Sequence, residues 1–243
     1  MKRSLDIIFA LSGLLVLSPL LVVVILLIWL QDFHSPFYMA PRMRRRGETF
    51  KMVKLRSMVT NADKMGGTST AGTDKRITWI GRFIRKFKLD EFSQLWNVLK
   101  GDMSLVGPRP QAPFDAGMYT DEENRLFEVR PGITDFSSIV FADEGDILAG
   151  AEDPDLLYNQ IIRPWKSRLG IFYVDHQSVG VDFKLITLTV LGIFSRESVL
   201  KSTQKMLIKM GATEQLVEVA GRQKKLEPLP PPGATSIVLN LKT

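Results

Sequence analysis

Two adjacent acids, Asp90 and Glu91, stand between Arg85 and Arg109 in the stretch "RKFKLDEFSQLWNVLKGDMSLVGPRP". The apolar spacing that follows starts a helix near Asp90. A carboxylate there meets unsatisfied backbone N–H groups and the positive end of the helix dipole. Successive helical side chains diverge by about 100°, so this pair cannot aim both carboxylates at one atom. Two different jobs suit it better than a shared proton. The plain alternative is that Asp90 is only a helix cap. Arg85 precedes the pair, and Arg109 follows on a loop that Pro108 and Pro110 stiffen.

Several elements must hold these groups. Phe92, Leu95, Trp96 and Leu99 recur at helical spacing, and Gly101 stands where a C-cap belongs. Upstream, Trp79, Ile80, Phe83, Ile84 and Phe87 share one face of a helix whose other face carries Arg82, Arg85 and Lys86. Basic helices with aromatic residues of this kind lie in membrane interfaces. Phe50, Met52 and Val53 among Lys51, Lys54 and Arg56 read as a strand. "MGGTSTAGTD", residues 65 to 74, reads as a flexible loop, because it lacks the Lys-Ser/Thr ending of a nucleotide loop. Residues 121 to 129 read as helical, "RPGIT" as a turn, and the acidic run 143 to 155 as a solvated loop. A short helix from Gln204 and a linker "EPLPPPGATS" close the chain.

From Ile7 to Leu30 the 24 residues are almost free of charge. At about 1.5 Å per residue they would just cover a hydrocarbon core of about 30 Å. Pro19 breaks the run, with Ser12, Gly13 and Ser18 close by. Lys2 and Arg3 precede it, and Arg42, Arg44, Arg45 and Arg46 follow, so both flanks carry the cytoplasmic charge signature. A kinked single span and a hairpin that returns to its own side both remain open from these residues alone.

The chain has a net charge of +6 and 45% hydrophobic residues, enough for one globular core beyond the apolar run. Beside a membrane segment, the basic cluster suits anionic lipid headgroups. No helix-turn-helix, zinc-finger spacing or ribonucleoprotein aromatic pattern points to nucleic acid. The absence of cysteine excludes disulfides, thiolate metal sites and a Cys nucleophile. His34 and His176 are isolated.

"KLDEFSQLWNVLKGDMSLVGPRP", together with "KLRSM" upstream and the Ser18-Pro19 break, closely resembles the bacterial sugar transferase family, the small monotopic phosphoglycosyl transferases. The resemblance covers roughly residues 1 to 200. It implies an α+β, mainly helical monotopic membrane protein with an N-terminal re-entrant helix over residues 1–34, broken at Ser18-Pro19. Interfacial amphipathic helices and a small cytoplasmic catalytic domain over residues 35–200 would follow, then a C-terminal extension over 201–243 with its proline-rich linker. The implied location is the cytoplasmic face of a bacterial inner membrane.

The implied reaction moves a phosphosugar from a UDP-sugar to polyprenyl (undecaprenyl) phosphate and releases UMP, the first step of surface glycan assembly. Asp90 would be the nucleophile that carries the phosphosugar, and Glu91 would hold Mg²⁺. Lys54, Arg56, Arg85 and Arg109, with Pro108 and Pro110 setting the loop, would meet the phosphates. Two departures stand out. Lys88 occupies the place where a serine commonly precedes Leu-Asp-Glu, and Gly170 falls where many relatives carry an acid. Asp135, Asp175 or the acidic run are the candidates to replace that acid. A non-enzymatic membrane scaffold and a diphosphate hydrolase are the readings from other classes.

Overall fold

The computed structural model describes residues 1–65 and 74–241, so the glycine-threonine loop lies almost wholly outside the described residues. Helix α1 (Lys2–Asp32) runs unbroken through Pro19, with the Ser18 hydroxyl bonded back to the Leu15 carbonyl at 2.8 Å. A hairpin of β1 (Phe37–Met43) and β2 (Thr49–Leu55) follows, paired antiparallel from Phe37–Leu55 to Met43–Thr49.

Next come α2 (Trp79–Lys86), α3 (Leu89–Phe92) and α4 (Leu95–Lys100). The expected single helix after Asp90 is therefore two. Between them the Ser93 hydroxyl donates to the Val53 carbonyl of β2 at 3.1 Å. Gly101 ends α4 with φ 94, the left-handed C-cap that its position suggested.

Two three-residue strands, β3 (Ser104–Val106) and β4 (Gly132–Thr134), pair in parallel. The last three residues of "RPGIT" thus form a strand rather than a turn. Between the two strands lie α5 (Pro113–Ala116) and a 3₁₀ turn, Glu123–Glu128. After β4 come α6 (Phe136–Val140), α7 (Glu144–Ile147) and α8 (Pro154–Leu157). A π-helical turn, Tyr158–Ile162, leads into α9 (Arg163–His176), α10 (Val179–Leu191), α11 (Arg196–Lys209) and α12 (Glu214–Gly221). The final helical region therefore begins eight residues before Gln204.

The main core gathers Phe136, Val140, Ile162, Leu169, Phe172, Tyr173, Leu185, Leu207 and Leu216 from α6, the π-helical turn, α9, α10, α11 and α12. It runs on past residue 200 without a break. The proline-rich segment is no linker: Pro231 and Pro232 are buried against the body.

One narrow face of α1 packs on the rest. Leu21, Val24 and Ile28 meet Leu55, Ile80, Ile84 and Leu89, each fully buried apolar side chain contributing about 1.5–3 kcal/mol. Both ends are tied to the same body. Lys2 Nζ donates to the Val106 carbonyl at 3.0 Å and pairs with Asp182 at 2.6 Å, while Asp6 accepts from Ser104 and from Leu105 N at 3.0 Å. At the far end Asp32 pairs with Arg56 at 2.5 Å.

The opposite face of α1, including Ile8, Leu15, Val16, Val22, Val23, Leu26 and Trp29, is exposed. Helix α2 divides its apolar residues in a way the sequence did not separate. Ile80 and Ile84 turn into the core, whereas Trp79, Phe83 and Phe87 stay exposed. The architecture is mainly helical, with one long apolar helix compatible with a monotopic membrane protein.

Candidate active site

The Asp90–Glu91 pair sits in α3, a single turn entered through Lys88 at φ 51, with no side-chain cap at its start. A lysine in the left-handed region is strained, of the order of 1 kcal/mol or more, and such strain collects at functional sites. Asp90 is therefore inside the turn rather than its cap.

The turn is fastened to the outer edge of β2. Asn97 Oδ1 accepts from Val53 N at 2.8 Å and its Nδ2 donates to the Lys51 carbonyl at 2.9 Å, as a neighbouring strand would. Ser93 bonds the Val53 carbonyl and the Asp90 carbonyl, joining the acid pair to the strand that carries Lys54. Neither Ser93 nor Asn97 was singled out from the sequence. The signal was there, as polar residues four apart on the buried side of an apolar helix.

The two carboxylates take different partners. Lys54 Nζ lies 3.4 Å from Asp90 Oδ2, and Arg109 Nη1 lies 3.0 Å from Glu91 Oε1. Burial lowers the pKa of Lys54; Asp90 opposes this, and Arg109, Arg42 and Arg85 add to it. Glu91 raises that of Arg109 against the effect of burial. Arg85 is held by Ser57, its Nε donating to Oγ at 3.0 Å, and burial lowers its pKa while Asp90 opposes. Arg42, on β1, belongs to the same group of charges, since it and Arg109 repel each other.

Arg56 does not join them. Its guanidinium is buried, pairs with Asp32 and bonds the Ser35 carbonyl at 2.8 Å, which makes it the anchor of the far end of α1 and corrects its expected place among the phosphate ligands.

The Pro108-Arg109-Pro110 loop is fixed at several points. Gly132 N donates to the Pro108 carbonyl at 2.9 Å, the Gln111 amide to the Arg109 carbonyl at 3.0 Å, and Met43 N to the Gln111 carbonyl at 2.8 Å. Gly107 and Gly132 touch backbone to backbone. A Cβ on Gly132 would stand 2.1 Å from Gly107 N, so neither position tolerates a side chain without opening the loop. Gly170 lies beneath this loop, where a Cβ would meet Leu126 at 2.7 Å and Pro108 at 3.7 Å.

Four of the acids considered as its replacement, Asp135, Asp175, Asp143 and Glu144, are already engaged elsewhere. Asp135 is buried and caps α6 through Ser138 N at 2.7 Å, and burial pushes its pKa up. Asp175 pairs with Arg125, and Asp143 with Arg196 and Arg222. Glu144 pairs with Lys166; burial raises its pKa, but Lys166, Arg109 and Lys54 outweigh that and leave it lowered. The front of the acidic run is thus ion-paired rather than a solvated loop, and Glu144 is the acid that shares charge with the site.

A small cleft opens from Pro108 and Arg109. Tyr119, Tyr158, Arg163, Lys166 and Ser167 line its far side.

A long apolar helix with an exposed face, beside a carboxylate pair set among four cations, points to a membrane-associated protein equipped to handle anionic groups. Residues 1–196 match the family described as bacterial sugar transferase, and the chain belongs to that family of transferases. Among its relatives is a provisionally named undecaprenyl-phosphate N-acetylgalactosaminyl 1-phosphate transferase of Bacillus subtilis, 44% identical over 121 residues, which are 50% of this chain and 68% of the relative. An undecaprenyl-phosphate glucose phosphotransferase of Komagataeibacter xylinus is 36% identical over 81% of this chain and 36% of its own length. A UDP-galactose-lipid carrier transferase of Erwinia amylovora is 39% identical over 55% of this chain and 31% of its own. The matched region is therefore about a third of the latter two proteins.

Proposed function

We propose that this chain transfers a phosphosugar from a UDP-sugar to polyprenyl (undecaprenyl) phosphate, with release of UMP, in the assembly of a bacterial surface glycan. The observation that carries this reading is the division of labour in the acid pair: Asp90 faces Lys54 and Glu91 faces Arg109. In the first step an Asp90 oxygen attacks the β-phosphorus of the donor, the bond from that phosphorus to the bridging oxygen breaks, and UMP departs with the bonding electrons. A phosphate oxygen of the polyprenyl acceptor then attacks the same phosphorus and frees Asp90. Splitting the displacement in two is nucleophilic catalysis, with ping-pong kinetics as its sign.

Lys54 and Arg85 would offset the charge of the attacked phosphoryl group, and Arg109 would grip the diphosphate with its planar fork. Among the described residues no group of three acids or histidines could hold a metal unaided. The donor set instead suits an ion that takes one or two carboxylates and completes its shell from substrate phosphates, as Mg²⁺ does, with Glu91 as the protein ligand. Bound there, Mg²⁺ would neutralise charge on the diphosphate.

The same proposal includes topology. Both ends of α1 bind one globular body, which supports a re-entrant helix rather than a span. The body would then lie on the cytoplasmic face of the inner membrane, where a soluble nucleotide and a lipid phosphate can meet. Exposed Arg82 and Lys86 beside Phe83 and Phe87 suit anionic headgroups.

The test is UMP release by purified protein with Mg²⁺, polyprenyl phosphate and a panel of UDP-sugars. Release with a particular donor, requiring lipid and abolished by Asp90→Asn, is expected. Release of free sugar phosphate without lipid would point to a hydrolase, and folded protein inert toward every donor would point to a scaffold.

A further inference from the structure

The proline-rich segment makes a set of contacts that nothing in the transferase reading uses. From Pro228 to Pro232 only Leu229 has a backbone N–H, and that N–H donates to the Gln160 carbonyl at 3.0 Å. In an α-helix the Gln160 carbonyl would receive the N–H of residue 164, but residue 164 is proline and has none. The one available donor of the Pro228–Pro232 run thus meets a carbonyl that Pro164 cannot serve as an α-helical partner.

Several carbonyls of this proline-rich strap are used as well. A polyproline run makes no internal hydrogen bonds, which leaves its carbonyls open to outside donors, although here Pro231 accepts from Ala234 N at 3.1 Å. Pro230 accepts from Arg168 Nη1 at 3.0 Å, Pro232 accepts from the Thr120 hydroxyl, and Val238 accepts from the Gln160 amide at 2.8 Å. The turn at Gly233, with φ +78, rests on Thr120 and Glu122.

These anchors stand directly behind the far side of the cleft. Thr120 follows Tyr119, Gln160 is two residues from Tyr158 in the π-helical turn, and Arg168 follows Ser167. A buried ion pair completes the wall: Arg163 bonds Glu123 and the Met118 carbonyl, and lies over the Tyr119 ring at 4.9 Å. The strap is therefore bonded to both pieces of chain that form the wall, residues 118–123 and 158–168.

We infer that residues 228–238 are a positioning element for donor binding, holding the cleft wall of Tyr119, Tyr158 and Arg163 in the shape that receives the part of the UDP-sugar beyond its diphosphate. This rests on the transferase reading of the site. It separates two steps of the reaction, because the wall lies past Arg109 from the acid pair. Loss of the strap should weaken donor capture and leave the acceptor's demand on the enzyme nearly unchanged.

The experiment compares the full chain with Leu229→Pro, which deletes one N–H and keeps the tail, with Leu229→Ala, which keeps the N–H, and with a chain ending at Glu227. Hydrogen exchange is followed at residues 118–123 and 158–168, and KM is measured for UDP-sugar and for polyprenyl phosphate. Leu229→Pro and the shortened chain should exchange faster at both segments and raise donor KM about five- to tenfold, the size set by one or two lost hydrogen bonds. Acceptor KM should hold within about twofold, Leu229→Ala should resemble the parent, and a peptide of residues 227–241 should restore the shortened chain. Unchanged exchange, or faster exchange with an unchanged donor KM, would overturn the inference. If the full chain turned over no donor, the transferase reading would fall instead, and the exchange comparison would still decide whether the strap holds the wall.

Discussion

Burial and the neighbouring Arg109, Arg42 and Arg85 pull the pKa of Lys54 down from the ordinary lysine range near about 10.4, and Asp90 only partly restores it. If charged Lys54 is needed beside the attacked phosphorus, activity should fall with rising pH before a normal lysine would titrate. Replacing it with arginine, which stays protonated, should move the alkaline limb of kcat/KM upward while lowering the plateau. A pH profile whose alkaline limb is the same in both proteins would remove Lys54 from the reaction. Arg109→Ala should lower kcat by about 10²–10³, the usual cost of one donor aimed at developing charge, and rapid-quench measurement of UMP release locates the loss in the first step. At this scale the sequence was informative where charge was concentrated: Asp90, Glu91, Lys54 and Arg109 do converge. It was uninformative about Arg56, since nothing local distinguishes an arginine aimed at phosphate from one aimed at an aspartate 24 positions earlier. Arg42 was missed for the same reason, and Glu144 was not told apart from the rest of the acidic run, because their nearness to Arg109 and Lys54 is a product of folding.

Elements meet in ways that leave room for few side chains. A Cβ at Gly81 would stand 1.8 Å from the Ser57 carbonyl, so Gly81→Ala must push α2 off the segment after β2. Overpacking of that kind costs about 1–3 kcal/mol, and thermal unfolding in lipid discs should register a lower Tm together with loosened binding of α2 to α1. Asn97→Ala acts differently: it leaves Val53 N and the Lys51 carbonyl without their partner, a cost of about 1–3 kcal/mol, and should reduce activity as well as Tm because β2 carries Lys54. Equal loss of Tm in both variants with full activity in Asn97→Ala would show that the fastening does not position Lys54. Long periodic patterns such as 79–87 identified their helices. The three-residue strands were not legible, since a parallel pair joining Ser104 to Gly132 is set by pairing across 28 positions, and "PGIT" alone reads as a turn. The sequence does hold one long-range clue: Gly107 follows one short strand and Gly132 opens the other, and together they let the two touch.

For the whole molecule, the decisive question is which side of the membrane each end of α1 occupies. Its 31 residues would extend about 46 Å if straight, more than the hydrocarbon thickness of about 30 Å. Composition alone therefore permits a span, and Pro19 and the paired basic flanks were the features of the sequence against it. The folded structure adds contacts. Lys2 pairs with Asp182 and bonds Val106, while Asp32 pairs with Arg56, and a helix across the bilayer could keep only one of these sets on a body confined to one side. The chain contains no cysteine, so single cysteines can be introduced without removing any other. Cysteines replacing Ser4 and Ser35, exposed residues just inside and just beyond the two ends, should both react with an impermeant maleimide in inverted membrane vesicles and both be protected in right-side-out vesicles. Opposite labelling of the two positions would require a span, break one set of end contacts, and place the acid pair at a different depth from the lipid phosphate it is proposed to meet. Swapping Asp182 for asparagine in the same background distinguishes attachment from mere proximity: the Lys2 end should then loosen and label faster at Ser4→Cys, with Ser35→Cys unchanged.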